Sequence, residues 1–435
     1  MKKISQKEFQ NRRKNLFSNM EENSILIVGG EEEKVRNNDV NYEFRQSSDF
    51  WYLTGIEEPE ALLILIKKDS EKYILFTQEK KVEEEVWTGY KIGVEKAKSF
   101  YLADLAYNTN QLDKLSELLF SCEKIYYNLG SSKKLDDLIF TGLDNFKRIK
   151  SRTGIPNPLI IDPSILIDSM RLIKTHDEIE VIKNAIDLTE KGFIEAFKYS
   201  APGKYEYEVQ QIMEMEFRLG GSKRNGYPSI VASGKNSCIL HYIENDQKLT
   251  KDTLILIDAG SEWDYYSADI TRTWPVSGKF TSEQTDIYEL VLEANTKAIE
   301  ECKVGNSIND PHIKALTILV EGLKHLKILD KSTDEIIEEK LYFPFYMHST
   351  SHWLGLDVHD SGKYKDRDEN FTEFQEGMIL TIEPGLYFGD MAQKISKKYK
   401  DIGIRIEDDI LITKSGPKNL SEKIPKSIKE LENFY

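Results

Sequence analysis

Cysteine is scarce in this chain. There are three, Cys122, Cys238 and Cys302, widely separated and with no CxxC pair. So sparse and odd a count excludes a disulfide framework or a zinc ribbon and fits free thiols in a reducing compartment. Long hydrophobic runs are missing as well. The longest, such as Ala61 to Ile66 and Leu254 to Ile257, are far too short to span a bilayer. The segment Met1-Lys2-Lys3-Ile4-Ser5-Gln6-Lys7-Glu8 has charge but no apolar stretch behind it, so a secretory signal is not expected. Positive charge is in deficit: 59 Lys and Arg against 74 Asp and Glu leave a formal net charge of −15. Basic runs such as Lys397-Lys398 are short, which excludes the clustered cations that nucleic-acid binding needs. There is no GxxxxGK[ST] loop, no GxGxxG after a strand and no GxSxG elbow, so nucleotide-binding, kinase and serine-hydrolase readings lose their support. The expectation is a cytoplasmic protein that engages neither nucleic acid nor membrane.

What is present is an ordinary globular composition, 40% hydrophobic and 11% aromatic over 435 residues, enough for two or three domains. The first 170 or so residues alternate strand-like and helix-like pieces, an α/β pattern. Ser24 to Val28 is an apolar run stopped by Gly29-Gly30, and Ala61 to Ile66 and Tyr73 to Phe76 flank a turn at Lys67 to Ser70, which predicts a hairpin. Leu112, Leu115, Leu118 and Leu119 fall at helical spacing before a strand at Lys124 to Asn128. Three prolines in eight residues, Pro156, Pro158 and Pro163, punctuate a connector, and the domain boundary is placed just after it, giving 1–172 and 173–435. Thr175 and Glu178 then form a capping box that opens a long amphipathic helix to Tyr199. Further helices are expected at Tyr205 to Leu219, Thr281 to Lys303 and Asn309 to Leu326, and strands at Leu254 to Ile257, Ile379 to Ile382 and Ile402 to Ile412. The polar piece Ser421 to Phe434 is expected on the surface. Trp87 is expected in the core, Arg152 in a structural role, and Glu31 to Glu33 and Glu83 to Glu85 on solvated faces.

The chemistry-bearing residues lie in the second domain. A buried strand, Leu254 to Ile257, delivers Asp258, with Gly260 two residues later to permit a close backbone approach. Eleven residues on comes Asp269, in Ala268-Asp269-Ile270-Thr271-Arg272-Thr273; an aspartate at a strand end is more often a turn former than a ligand, and the pair by itself is a weak signal. Three of the seven histidines, His348, His352 and His359, fall within twelve residues, packed among serine, glycine and aromatics. His241 taken alone reads as a core histidine. Glu383 sits at the end of an apolar run closed by Pro384-Gly385, where an unpartnered buried carboxylate would be costly. Period-two alternation puts Arg405 and Glu407 on one strand face, and the bland reading is a salt-bridged surface. A metal centre reconciles these features. Asp258, Asp269, Glu383 and Glu407 supply four negative charges, which balance two divalent cations, and His352 supplies a nitrogen. Four carboxylates and one imidazole suit Mn²⁺, Co²⁺ or Zn²⁺ held as a pair, able to activate a shared water and stabilise an oxyanion.

The segments IDAGSE, ADITRT, SHWLG, TIEPG and RIEDD, in that order, resemble the pita-bread metallopeptidases, which include methionine aminopeptidase, prolidase and aminopeptidase P. The stretch MHSTSHWLGLDVHD is most similar to the aminopeptidase P branch, the Xaa-Pro aminopeptidases, and RQSSDFWYLTGIEEPEALLIL resembles that branch's N-terminal domain. Ser349-Thr350-Ser351 departs from the glycine and hydrophobic residue that many relatives carry beside the first histidine. The resemblance implies an α/β (α+β) fold class: a creatinase/aminopeptidase-P-type α/β domain for substrate access and oligomerisation, then a pita-bread catalytic domain. It implies two divalent ions per chain, manganese first, on Asp258, Asp269, His352, Glu383 and Glu407. It implies hydrolysis, by a metal-bridging hydroxide, of the bond between an N-terminal residue and a following proline. On this resemblance Glu383 is also general base, Asp258 helps orient the α-amino group, His359 and His241 hydrogen-bond the substrate carbonyl and oxyanion, His348 lines the proline site, and Arg405 holds a ligand carboxylate or contacts substrate. A homodimer or homotetramer is implied, with Trp87 a candidate contact to a neighbour's active site. Prolidase, cleaving only Xaa-Pro dipeptides, is the alternative enzyme. A metal-free creatinase-like enzyme or a non-catalytic binding module would lack the full ligand set.

Overall fold

The apolar runs of the chain assemble, in a computed structural model, into two units: Ile4–Met170, and Arg171–Tyr435 together with Met1–Lys3. The structure describes residues 1–119, 122–392 and 397–434. In the first unit the strands are β1 (Ser24–Gly29), β2 (Leu62–Lys67), β3 (Glu71–Thr77), β4 (Leu105–Asn108), β5 (Lys124–Tyr126) and β6 (Leu159–Ile161). They form one mixed sheet in the order β4-β3-β2-β1-β5-β6. β2 and β3 pair antiparallel with Leu62 opposite Phe76, the hairpin expected from the sequence, whereas β1–β5 and β5–β6 are parallel. The proline-rich segment leads into β6. Residues 62–66 are all buried, as an apolar run without alternation requires when both faces of a sheet are covered. Helix α1 (Lys133–Thr153) supplies Leu135 and Ile139 to that core, and Arg152 is exposed near its end.

Trp87 corrects the core expectation: it is 88% exposed, on a short helix, Val82–Thr88, none of whose residues is buried. Three consecutive glutamates between Val82 and Val86 leave that helix no apolar face to bury.

In the second unit α2 (His176–Tyr199) opens with the expected box, the Thr175 hydroxyl accepting from the Glu178 N–H and the Glu178 carboxylate accepting from the Thr175 N–H at 2.8 Å. Helix α3 (Glu206–Leu219) packs on α2, and α4 (Ser282–Glu300) on α5 (Asp310–His325). Strands β7 (Ile230–Ser233), β8 (Leu254–Ala259) and β9 (Ile270–Pro275) form an antiparallel sheet with Asp258 opposite Thr271. β10 (Ile379–Ile382), β13 (Asp408–Thr413) and β14 (Gly416–Asn419) form a second, and β11 (Gly385–Tyr387) pairs with β12 (Gly403–Arg405). A lone bridge between Thr271 and Glu407 joins the first sheet to the others.

Two expectations need correction here. Ile402 to Ile412 is not one strand: Arg405 pairs with Gly385 while Asp408 pairs with Ile382, and the change of partner breaks the ladder at Ile406 and Glu407. Ser421 to Phe434 is not merely a surface piece, because Ile424 and Leu431 are buried in the core and only Ile428–Glu432 is helical. No helix among the described residues is long and apolar enough to cross a membrane.

Candidate metal centre

The ends of β8, β9, β10 and β12 converge on a cavity of about 740 Å³. Asp258, Asp269, His352, Glu383, Glu407, His241, His348, His359 and Arg405 all line it. Chain geometry explains the convergence. Gly260 lets the backbone turn back so tightly that a Cβ there would lie 1.7 Å from the Ala268 carbonyl oxygen, which draws Asp258 and Asp269 together.

Within the cluster, one ligand atom each from Asp269, His352 and Glu407 lie within 4.8 Å of one another. His352 Nε2 is 3.3 Å from Asp269 Oδ2 and 3.6 Å from Glu383 Oε1. Its Nδ1 donates to the Trp353 carbonyl at 3.1 Å, which turns Nε2 toward the carboxylates, the atom that would coordinate once its proton is displaced. The Thr271 hydroxyl donates to Glu407 Oε2 at 2.7 Å and accepts from Arg405 Nε at 3.2 Å. Arg405 is not on a solvated face and does not pair with Glu407. It is 3% exposed, and its Nη2 donates to Asp258 Oδ2 at 2.7 Å.

The charges show why a cation belongs here. Burial first, then His352 in the opposite sense and Asp258 in the same sense, leave the Asp269 carboxyl above its ordinary range. Burial, with Asp269 and Asp258 beside it, pushes Glu383 up to about 7. Glu407 rises well above the usual range through burial and the same neighbours. The Tyr227 hydroxyl reaches both Asp258 and Asp269. It has one proton, so its second contact needs either a protonated carboxyl or a cation beside the pair. Four crowded carboxylates and one oriented imidazole, with no thiolate, fit a divalent metal. Burial opposes charge on His352, yet its hydrogen bond to Asp269 and the nearby carboxylates raise it to about 9.

Beside the donors, His348 Nδ1 donates to its neighbour's carbonyl, Ser349, at 2.8 Å. Burial and Arg405 lower its pKa to about 3, so the ring is neutral and Nε2 accepts from the Tyr387 hydroxyl at 2.8 Å. Tyr387 in turn accepts from Arg405 Nη1 at 2.9 Å. Both ring nitrogens of His348 are thus engaged, and it presents ring surface to the cavity. His359 stacks edge-on to His352, centroids 4.4 Å apart, and burial lowers its pKa. His241 is exposed at the cavity wall, which corrects the core reading: Leu240 and Ile243 beside it also line the cavity rather than the core. Sequence reasoning missed Tyr227, Tyr387 and Thr271. Tyr227 lies between Gly226 and Pro228, and Tyr387 follows Pro384-Gly385, so turn punctuation was the only local signal.

The profile of Metallopeptidase family M24 matches residues 180–414, and that of the aminopeptidase P N-terminal domain matches 9–126. The chain belongs to this metallopeptidase family. Its architecture is that of an aminopeptidase-P-type N-terminal domain followed by a pita-bread domain. A Xaa-Pro aminopeptidase of Haemophilus influenzae is 41% identical, the alignment covering all of this chain and 98% of that protein. Among solved structures, Pseudomonas aeruginosa aminopeptidase PepP superposes with a TM-score of 0.96 at 40% identity, covering 100% of this chain and 98% of that one. A zinc-substituted Escherichia coli aminopeptidase P in complex with product gives 0.95 at 38% identity, covering 99% and 98%. The family thus supports divalent metal at the carboxylate cluster.

Proposed function

We infer that this protein is a metal-dependent Xaa-Pro aminopeptidase, releasing the N-terminal residue from peptides whose second residue is proline. The observation that carries the reading is the gathering of the five donors around one cavity in a chain that matches both family models, at 9–126 and 180–414, and a Xaa-Pro aminopeptidase along its full length. Proline's imide nitrogen has no hydrogen, so a peptidase that needs that N–H as a handle loses its grip, whereas attack on the preceding carbonyl does not require it. Divalent metal supplies Lewis acidity and lowers the pKa of a coordinated water. We assign its binding to Asp258, Asp269, His352, Glu383 and Glu407, as two ions with manganese preferred and cobalt or zinc able to serve.

The remaining roles belong to side chains. Glu383 accepts the proton of the attacking water. Asp258, held by Arg405, orients the free α-amino group. Arg405 acts by fixing that carboxylate and, through Tyr387, the ring of His348, which forms a wall of the proline site. His359 and His241 line the cavity and are exposed to it, and we assign to them the N–H groups that meet the carbonyl as it becomes an oxyanion. The N-terminal domain governs access and assembly. Exposed Val86, Trp87 and Tyr90, at 76%, 88% and 94%, support a homodimer or homotetramer that covers them. A cytoplasmic location agrees with three free cysteines.

The test is cleavage by metal-stripped protein with Mn²⁺, Co²⁺ or Zn²⁺ restored. The substrates are an Xaa-Pro dipeptide, an Xaa-Pro-Xaa tripeptide and an alanine-for-proline control. Metal-dependent release from the tripeptide with the control spared is expected; cleavage of the dipeptide alone would make the protein a prolidase.

A further inference from the structure

Asp360 follows His359 directly, and its carboxylate is 1% exposed. It sits between two buried cations. Lys174 Nζ donates to Oδ2 at 3.0 Å, and Arg171 Nη2 donates to Oδ1 and also to Asp357 Oδ2, the latter at 2.7 Å. Arg171 and Lys174 belong to the same unit as the loop they hold. The buried Asp360 carboxylate is thus compensated by two buried cations, and Asp357, 40% exposed, takes the second contact of Arg171. The backbone is closed at the same point: the Asp360 N–H donates to the Trp353 carbonyl at 2.9 Å, and the Gly355 N–H to the Asp357 carbonyl at 3.1 Å. Gly355 leaves the room, since a Cβ there would lie 2.2 Å from Asp360 Oδ2. Its carbonyl accepts from the Ser267 N–H at 2.9 Å, two residues before Asp269.

The loop from His352 to His359 thus begins at a proposed metal ligand and ends at a proposed oxyanion donor, and Asp360 locks the far end. Among the described residues the His359 ring has no hydrogen-bond partner, and it packs edge-on against His352. Its placement therefore depends on its backbone. We propose that Asp360, clamped by Arg171 and Lys174, is a positioning residue that sets where His359 presents its N–H. This rests on the assignment of His359 to the reaction. A catalytic donor displaced by about 1 Å loses roughly 10- to 100-fold in rate.

The experiment is a double-mutant cycle in the metal-loaded full chain, reading kcat, KM and bound metal on an Xaa-Pro-Xaa tripeptide. Asp360→Asn keeps the shape and removes the charge. Lys174→Met removes one cation, and Lys174→Arg restores it, so the test stands even if the Asp360 variant fails to fold. In the parent background each loss-of-charge variant should lower kcat roughly 10- to 100-fold, with KM and metal content little changed, and Lys174→Arg should recover most of it. In a His359→Ala background the same substitutions should change kcat less than about threefold. Equal losses in both backgrounds, or loss of metal, would overturn the positioning role. If His359→Ala alone leaves kcat unchanged, the fault lies in the role given to His359, a separate failure that the single variant reveals.

Discussion

Metal-stripped protein should lose stability as the pH rises, and added metal should restore most at the alkaline end. Burial and the neighbouring carboxylates push Glu383 up to about 7 from an ordinary 4.5. Burial works against charge on His352, but Asp269 and Glu383 outweigh it and raise the ring from 6.5 to about 9. Both folded values exceed the unfolded ones. Each group therefore contributes stability that is complete below its ordinary value and lost as the pH climbs through its folded value. A proton held only by the folded state is worth about 1.4 kcal/mol per pH unit. Between about pH 5.5 and about pH 8, each group crosses roughly 1.5 units of its own window, so the loss is about 2 kcal/mol if they share one proton and about 4 if they titrate separately. For a domain of this size that corresponds to a fall in Tm of roughly 4–16 °C. Metal competes with those protons, so the rise in Tm produced by a fixed excess of Mn²⁺ grows over the same range. Thermal melts followed by circular dichroism, with chelator or with Mn²⁺ at matched ionic strength, read both curves. A metal-induced rise in Tm that is flat across the range, or a stripped protein that gains stability with pH, would refute the reasoning.

Further outcomes follow from the same geometry. His359→Ala should keep its metal, by elemental analysis, while kcat/KM on a Pro-containing tripeptide falls roughly 100-fold. Arg405→Met strands the Asp258 carboxylate and frees Tyr387, so chemical denaturation should show a loss of about 3–5 kcal/mol in the stripped protein. Tyr227→Phe removes the hydroxyl shared by Asp258 and Asp269 and should weaken metal affinity by roughly 10- to 100-fold in a competition titration, with the melt little changed. Gly260→Ala drives a methyl into the Ala268 carbonyl and should destabilise by about 3 kcal/mol or more, visible as a lowered Tm.

What could be read from the chain alone was whatever local pattern controls. The Thr175 box, the β2–β3 hairpin and the need for glycine at 260 are all decided within a few residues, and each appears in the structure as the sequence indicated. The gathering of Asp258, Asp269, His352, Glu383 and Glu407 around one cavity was legible only from the constellation as a whole, because a carboxylate in an apolar run such as Glu383 is costly without a partner while a strand-end aspartate alone is not. Partner choice was not legible. Period two placed Arg405 beside Glu407, but a guanidinium on a strand that ends at Arg405 reaches across to Asp258, and a threonine on another strand takes Glu407. His241 and Trp87 were misjudged because an aromatic ring carries the same local signature inside a core, at a cavity rim or on a surface. The clamp on Asp360 joins residues 186 positions apart, beyond any window of pattern.

Arg272 lies beneath the site with no exposure at all, and its guanidinium donates to the carbonyls of Glu407, Ile424 and Pro425 as well as to Asp408. Those acceptors are made well over a hundred residues after the arginine itself. During synthesis, then, Arg272 emerges with the neighbouring Thr271 carbonyl as its one early acceptor, and its other bonds wait for the segment from Glu407 through Pro425 to be made and to fold over it.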